Sequence, residues 1–405
     1  MTKIAEAGRR GEKVRGDCWA RVEPKARGGL KVQVATKVEA MYGDAVRGLV
    51  RRGLEALGVR HAAVTVEDYG ALEFVLAARL EAAVKRAGLG AGREFLLDPG
   101  PGFRAQTQRG RLRRSRLYLP GNEPKFFLNA ALHGPDGIIL DLEDSVAPAE
   151  KDAARLLVRN ALRAVDFGKA ERMVRINQGE RGVKDLDAVV PQNVHVLLIP
   201  KTETGEHVRS VDARAEKLRK AAKLRAPCLL MPIIESALGC FEASYIASSS
   251  PRIVALAIGL EDYTADIGAQ RTPEGRESFW ARSIVVNAAR AAGVTPIDTV
   301  FSDVEDMEGL RAACLEAKGL GFEGKGCIHP RQVPVVHEAF APSADEIEKA
   351  KRIVLAFEEA EKKKLGVVAL GSKMVDPPVV KRALRTVKMA EALGLLPKTW
   401  RKERK

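Results

Sequence analysis

The chain reads as an α/β protein: a (β/α)8 TIM barrel with a small N-terminal α+β module and a C-terminal helical arm. Three observations predict this. From residue 112 onward, eight short apolar runs alternate with amphipathic stretches within about 220 residues, the rhythm of a (β/α)8 barrel. The runs are apolar along their length, as in parallel strands buried on both faces. A polar residue closes nearly every run, as in barrels that assemble a site from strand ends. An open doubly wound sheet is the runner-up. It would want a Gly-rich fingerprint after the first strand, and YLPGNEPKFF has no GxGxxG.

The elements follow in order. Residues 1–87 form the first module, with strands in DCWARVEP, LKVQVAT and HAAVTVED. Its helices are VEAMYGDAVRGLVRRGLEALG, stopped at Gly58, and GALEFVLAARLEAAVKRA, stopped at Gly88. Residues 88–111, rich in Gly, Pro and Arg, read as a linker. The barrel spans 112–342, with strands in RSRLYLP, DGIILDLED, RMVRIN, VHVLLIPK, CLLMPIIES, IVALAIGLED, TPIDTVF and GKGCIHP. Helical stretches such as EKDAARLLVRNALRAV and FWARSIVVNAARAAG separate them. Residues 343–405 add the helix ADEIEKAKRIVLAFEEAEKK, the segment GVVALGSKMVDPPVV and a last basic helix. Asp376, polar in an apolar loop after a completed barrel, suggests an arm that packs elsewhere.

Composition narrows the function. The 405 residues, 46% hydrophobic, suit a barrel-sized core plus an appendage. The net charge of +14 lies at the ends: +8 over 1–111, −1 over 112–380 and +7 over 381–405. With aromatics at 5% and no nucleic-acid-binding signature, nucleic acid is not an expected partner. No run has the length of a membrane span and the N-terminus lacks an apolar signal core, so the expectation is a cytoplasmic protein. The cysteines (Cys18, Cys228, Cys240, Cys314, Cys327) are scattered and odd in number, which reads as buried thiols.

The chemistry gathers at the strand ends: Arg114, Glu143 and Asp144, Arg175, Lys201, Glu235, Asp262 and His329. Glu235 and Asp262, one strand–helix unit apart, are two hard oxygen ligands of the kind Mg2+ needs when other positions are left to water and substrate. Their alternative is a pair of helix caps or loop charges. Arg175 offers a planar fork to a carboxylate; its alternative is an ion pair with Glu143 or Asp144. Glu143 and Asp144 either order metal-bound waters or hold Arg175. Lys201 reads equally as a solvated cation, and His329 as a histidine closing the last strand.

Taken in order, RSRLYLPGN, IILDLEDSVAPAEKDAAR, VRIN, IPKTET, PIIESALG, AIGLEDYTADIG, DTVFSDVEDMEGL, GFEGKGCIHPRQV and GSKMVDPPV closely resemble the citrate lyase beta subunit and its malyl-CoA and citramalyl-CoA lyase relatives. The resemblance covers residues 112–392. It implies a Mg2+-dependent (β/α)8 carbon–carbon lyase of the HpcH/HpaI aldolase type, trimeric, that splits a 3-hydroxyacyl thioester by retro-Claisen chemistry. By motif, Glu235 and Asp262 fall on the metal ligands, and Arg175 on the arginine that grips the oxo-acid carboxylate. Arg114 falls on a further substrate-binding arginine, and Asp376 on an acid/base contributed across a subunit interface.

Residues 5–87 resemble the citrate lyase gamma subunit, an acyl carrier, through GDCWARVEP, VEAMYGDAVR and VTVEDYGALEFVLAARLEAAV. There the family attaches its prosthetic arm to a serine before the Gly-Asp pair. Arg15 stands in that place before Gly16–Asp17, and no Ser or Thr lies between Thr2 and Thr36. No covalent arm is therefore expected, and the reading tilts toward a free acyl-CoA thioester over an acyl-carrier one. Two alternatives stay open: a beta/gamma fusion working beside a citrate lyase alpha subunit, and a non-catalytic assembly subunit.

Overall fold

The computed structural model describes residues 3–362, 368–370 and 373–401. The chain divides into two compact units, Met1–Val333 and Pro334–Lys405. Within the first unit, β1 (Ala5–Gly8), β2 (Cys18–Pro24), β3 (Leu30–Thr36) and β4 (Ala62–Asp68) form a sheet in the order β1-β2-β4-β3. β3 and β4 pair in parallel through the crossover helix α1 (Glu39–Ala56), and the other neighbours are antiparallel. Helix α2 (Glu73–Arg86) is buried on nearly every side, from Phe74 to Val84.

Eight parallel strands then close into a barrel: β5 (Ser115–Pro120), β6 (Gly137–Asp141), β7 (Glu171–Arg175), β8 (Val196–Ile199), β9 (Leu229–Ile234), β10 (Ala255–Ile258), β11 (Thr295–Val300) and β12 (Lys325–Cys327). The predicted architecture is therefore observed. β12 pairs β5, with Lys325 opposite Ser115 and Cys327 opposite Leu117, which closes the ring and leaves no edge. Met173, Leu198, Met231, Ile233, Ala257 and Ile297 fill the interior. The barrel helices are α3 (Lys151–Ala164), α4 (Gly179–Val189), α5 (Gly205–Ala221), the short pair α6 (Ala237–Phe241) and α7 (Ala243–Ser248), α8 (Leu260–Asp266), α9 (Arg276–Ala291) and α10 (Met307–Leu320). Among the described residues, no helix is long and apolar enough to cross a membrane. All five cysteines are buried free thiols, as expected.

Two expectations about organisation change. The N-terminal module is not a separate body: it shares one compact unit with the barrel. Buried Arg159 of α3 grips Glu81 of α2 through both guanidinium tips at 3.0 and 2.6 Å, and Asn160 donates to Phe74 O at 3.3 Å. Arg86 reaches Asp152 at 2.7 Å. Residues 88–111 are likewise a strap built into the barrel rather than a linker. Arg172 donates to Gly102 O, Phe103 O and Ala105 O at 3.0 to 3.2 Å, and a Cβ at Gly100 would sit 2.6 Å from Ala164 O. Gly- and Pro-rich sequence there supplies close approach and free carbonyls, not looseness.

The second unit holds the main length of α11 (Gln332–Phe340), then α12 (Ala344–Lys362), the short hairpin β13 (Val368–Leu370) and β14 (Lys373–Val375), and α13 (Pro377–Ala392). It thus begins near 334 rather than 343. Its own apolar core joins Ile353 and Val354 to Val380, Val387 and Trp400.

Two measurements test these contacts. Glu81→Ala strands a buried guanidinium, leaving it the half-exposed Glu94 at 3.2 Å as its carboxylate and the Asn160 amide oxygen at 3.0 Å. Its unfolding free energy in urea should fall by about 3 kcal/mol. His195 is neutral in the folded chain: burial and then the Arg172 charge push its pKa from 6.5 down to about 4. The unfolded chain binds more protons between those values, so stability should drop as pH falls from 6.5 toward 4 and level below. The loss should be about 3 kcal/mol, and His195→Gln should flatten that step in pH-dependent denaturation.

Candidate active site

The C-terminal ends of the strands meet around a cavity of about 260 Å3 lined by Arg116, Tyr118, Asp141, Arg175, Glu235 and Asp262, among others. β6 delivers Asp141 as its last residue, and β7 delivers Arg175 directly opposite it. The guanidinium of Arg175 donates to both oxygens of Asp141 at 2.7 and 2.8 Å. Its remaining nitrogen lies 3.1 Å from Glu143 and 3.5 Å from Asp144, and the group stacks 5.4 Å from the centre of the Tyr118 ring. Burial opposes the charge of both partners, but their mutual hydrogen bonds and attraction win: Arg175 is raised and Asp141 lowered from their ordinary values.

Glu235 follows β9 and is 5% exposed. Burial pushes its pKa up to about 7, against the Lys201 backbone N–H that donates to it at 2.6 Å. Lys201 follows β8 with φ at +46°, a strained conformation for a residue bearing a side chain. That turn aims its amide at Glu235 and its Nζ at Glu143 (3.1 Å), Asp144 (3.4 Å) and Asp262 (3.5 Å). Asp262 sits in the first turn of α8. Gly259, just before that helix, leaves room for the acid: a Cβ there would stand 2.4 Å from Glu235 Oε1.

A cation is what this mouth calls for. Asp144, Glu235 and Asp262 line it, Glu143 stands beside Asp144, and the Lys201 ammonium is spread over Glu143, Asp144 and Asp262. Among the described residues no group of three or more His, Cys, Asp or Glu is placed to hold a metal ion, so a metal here would rest on fewer protein ligands. Two hard carboxylates on one cavity, with positions left for water and ligand, fit Mg2+ rather than a structural zinc or a calcium cage.

The structure thus brings Glu235, Asp262, Arg175, Glu143 and Asp144 to one mouth, together with Lys201. Arg175 is ion-paired, with Asp141 as well as with Glu143 and Asp144, and it also lines the cavity. Arg114 is a correction. It precedes β5, at the opposite end of the barrel from the cavity, where its Nε and backbone N–H both bind Asp136 at 2.9 and 2.8 Å. Arg116, inside β5, lines the cavity in its stead. His329 closes its strand, accepting the Arg331 N–H at 3.2 Å. Arg15 is exposed on a loop, while the neighbouring Asp17 is buried against Arg79 at 2.9 Å. Asp376 belongs to the Pro334–Lys405 unit, where it caps α13 by accepting the Val379 N–H at 3.1 Å. Gly371 and Ser372 of its motif lie outside the described residues. Asp141 escaped the sequence reading because Glu143 and Asp144, which close the same DLED motif, drew the assignment; its place as the last strand residue was the available signal.

The HpcH/HpaI aldolase/citrate lyase family model matches residues 114–330, more than half of the chain. The chain belongs to the HpcH/HpaI aldolase/citrate lyase family. Among similar members, the citrate lyase subunit beta of Leuconostoc mesenteroides is 40% identical over 289 residues, 71% of this chain and 96% of that protein. The L-malyl-CoA/beta-methylmalyl-CoA lyase of Cereibacter sphaeroides is 34% identical, covering 74% of this chain and 99% of its own length. The crystal structure of CitE from Mycobacterium tuberculosis in complex with magnesium, acetoacetate and coenzyme A superposes with a TM-score of 0.58 at 31% identity, over 70% of this chain and 99% of that one. Separately, residues 9–87 match the malonate decarboxylase delta subunit model, an acyl carrier type, in agreement with the carrier-like N-terminus.

Crowding Glu235 offers a direct test of this HpcH/HpaI site. Gly259→Ala should displace the carboxylate and weaken Mg2+ binding roughly 10- to 100-fold in calorimetry, with the melting temperature within a few degrees of wild type.

Proposed function

We propose that this chain, a carbon–carbon lyase by family, cleaves a 3-hydroxyacyl-CoA thioester of citryl, citramalyl or malyl type into a 2-oxo acid and acetyl-CoA. The convergence of Glu235 and Asp262 on one cavity, with Arg175 beside them, carries the reading. Glu235 and Asp262 would hold Mg2+, and Glu143 and Asp144 would order its water. The bound ion would supply Lewis-acid polarisation of the substrate hydroxyl and carboxylate.

The chain's own residues supply the rest. Arg175, fixed by Asp141 and Tyr118, presents positive charge to the oxo-acid carboxylate without having to reorganise. Loss of the hydroxyl proton turns the C–O bond into a carbonyl. The C–C bond breaks, and its electron pair leaves as the enolate of the acetyl thioester, which is then protonated. Asp376 is the proposed acid/base for these transfers, offered by a neighbouring copy of the chain in a homo-oligomer, a trimer by family resemblance. Free CoA thioesters are favoured over an arm-borne substrate because Arg15 offers no hydroxyl and the module is pinned by the Glu81–Arg159 pair. Action beside an alpha subunit, or a purely organising role, is the competing reading.

The test is turnover. With Mg2+ and citryl-, citramalyl- or malyl-CoA, wild type should release acetyl-CoA and an oxo acid. Glu235→Ala should lose on the order of 10³-fold, about 4 kcal/mol of barrier. Wild type indistinguishable from Glu235→Ala on all three would sink the proposal. Intact mass after co-expression with arm-attachment enzymes should show no added group.

A further inference from the structure

Nearly every deeply buried guanidinium in the first unit has a carboxylate: Arg79 with Asp17, Arg113 with Glu171, Arg159 with Glu81, Arg175 with Asp141 and Arg282 with Asp298. Arg172 lacks one but donates to the carbonyls of Gly102, Leu162, Phe103 and Ala105. Arg116 has neither. It is 1% exposed, its Nε has no partner, and its other nitrogens lie 3.4 Å from Met231 Sδ and 3.4 Å from Asp298 O. Charge-assisted hydrogen bonds run nearer 2.7–2.9 Å. The Asp298 carboxylate is already committed to Lys325 at 2.6 Å and to Arg282 at 3.2 Å.

An unpaired buried cation is unfavourable unless something else neutralises it. Arg116 lines the same cavity as Glu235 and Asp262, and small residues (Ala257, Gly326) share its wall. Gly326 is held small: a Cβ there would meet Val300 at 2.6 Å. The guanidinium lies against Met231, four residues before Glu235 on β9, and so beneath the rim. A hydroxyacyl ligand held at the rim would point the third substituent of its hydroxyl-bearing carbon into this space. Hydrogen or methyl there leaves the cation unpaired, whereas a carboxymethyl group pairs it.

We propose that Arg116 is a specificity residue that receives a second carboxylate on the oxo-acid half of the substrate, so that dianionic oxo acids are preferred. This rests on the lyase reading for the identity of the ligand, and the test separates the two. Oxaloacetate and 2-oxobutyrate differ by a carboxylate in place of a methyl. Calorimetry with Mg2+ should show wild type binding oxaloacetate at least roughly 30-fold more tightly. Arg116→Met should bring the ratio within about threefold, and in turnover it should lose citryl-CoA cleavage while keeping the other two esters. Without ligand, Arg116→Met should melt at or above the wild-type temperature, since a structural arginine would lower it. A wild type without preference, a ratio unchanged in Arg116→Met, or equal losses on all ligands would overturn the assignment. Retained oxo-acid selectivity without any thioester cleavage would support the subsite and sink the lyase reading instead.

Discussion

Burying a charge in this fold requires a partner of opposite sign, and that constraint organises the first unit. An unpaired ion inside a protein is unfavourable by several kcal/mol, so most buried arginines here specify where an acid must be. Arg113 and Glu171, both with fully buried side chains, lock the strap to the start of β7. Arg282 and Lys325 enclose Asp298 at the seam where β11 meets β12. At the mouth, Asp141 fixes Arg175 across adjacent strands. Stability and site therefore share one device, a guanidinium fork held by a carboxylate, used at different depths.

The mouth departs from this balance in a telling way. Acids outnumber cations around Lys201, and burial, helped by the nearby Asp262 and Glu143 charges, holds Glu235 well above the usual carboxylate range. Deeper in the cavity the imbalance reverses, with Arg116 lacking any acid of its own. An excess of negative charge at the rim and positive charge below it is complementary to a metal ion carrying an anionic ligand. A scaffold selected only for stability would have cancelled both, so the two imbalances together mark where binding energy is reserved for something not covalently part of the chain.

How much of this was legible in the sequence depends on range. Glu235 and Asp262 could be placed because each ends an apolar run, and parallel neighbours necessarily bring such ends together. Arg114 could not. In RLRRSRLYLP, Arg114, Arg116 and Tyr118 share one face under strand alternation, so the pattern does not say where the interior begins. The answer comes from Lys325 pairing with Ser115 and from Asp136 capturing Arg114, both contacts between segments distant in sequence. The strap misled for the same reason. Its Gly and Pro content is that of a linker, and only Arg172, some seventy residues on, explains the carbonyls it presents. Lys201 read as a solvated cation because nothing local announces a positive φ.

The N-terminal module is itself fastened to the barrel. Arg79 of α2 holds Asp17 with one edge and reaches Asn122 O at 3.0 Å, in the loop directly after β5. Arg9 pairs with Glu123 in that same loop. β5 carries both Arg116 and Tyr118, and Tyr118 is the surface on which Arg175 rests. A module that swung free as a carrier would surrender the Glu81–Arg159 and Arg79–Asn122 contacts each time it moved, exposing an unpaired guanidinium on α3. Fixed in place, it braces the loop at the end of the first barrel strand and thereby the floor of the cavity. The carrier-like fold is held against the barrel, with Arg15 where a hydroxyl would be needed and Asp17 turned inward onto Arg79.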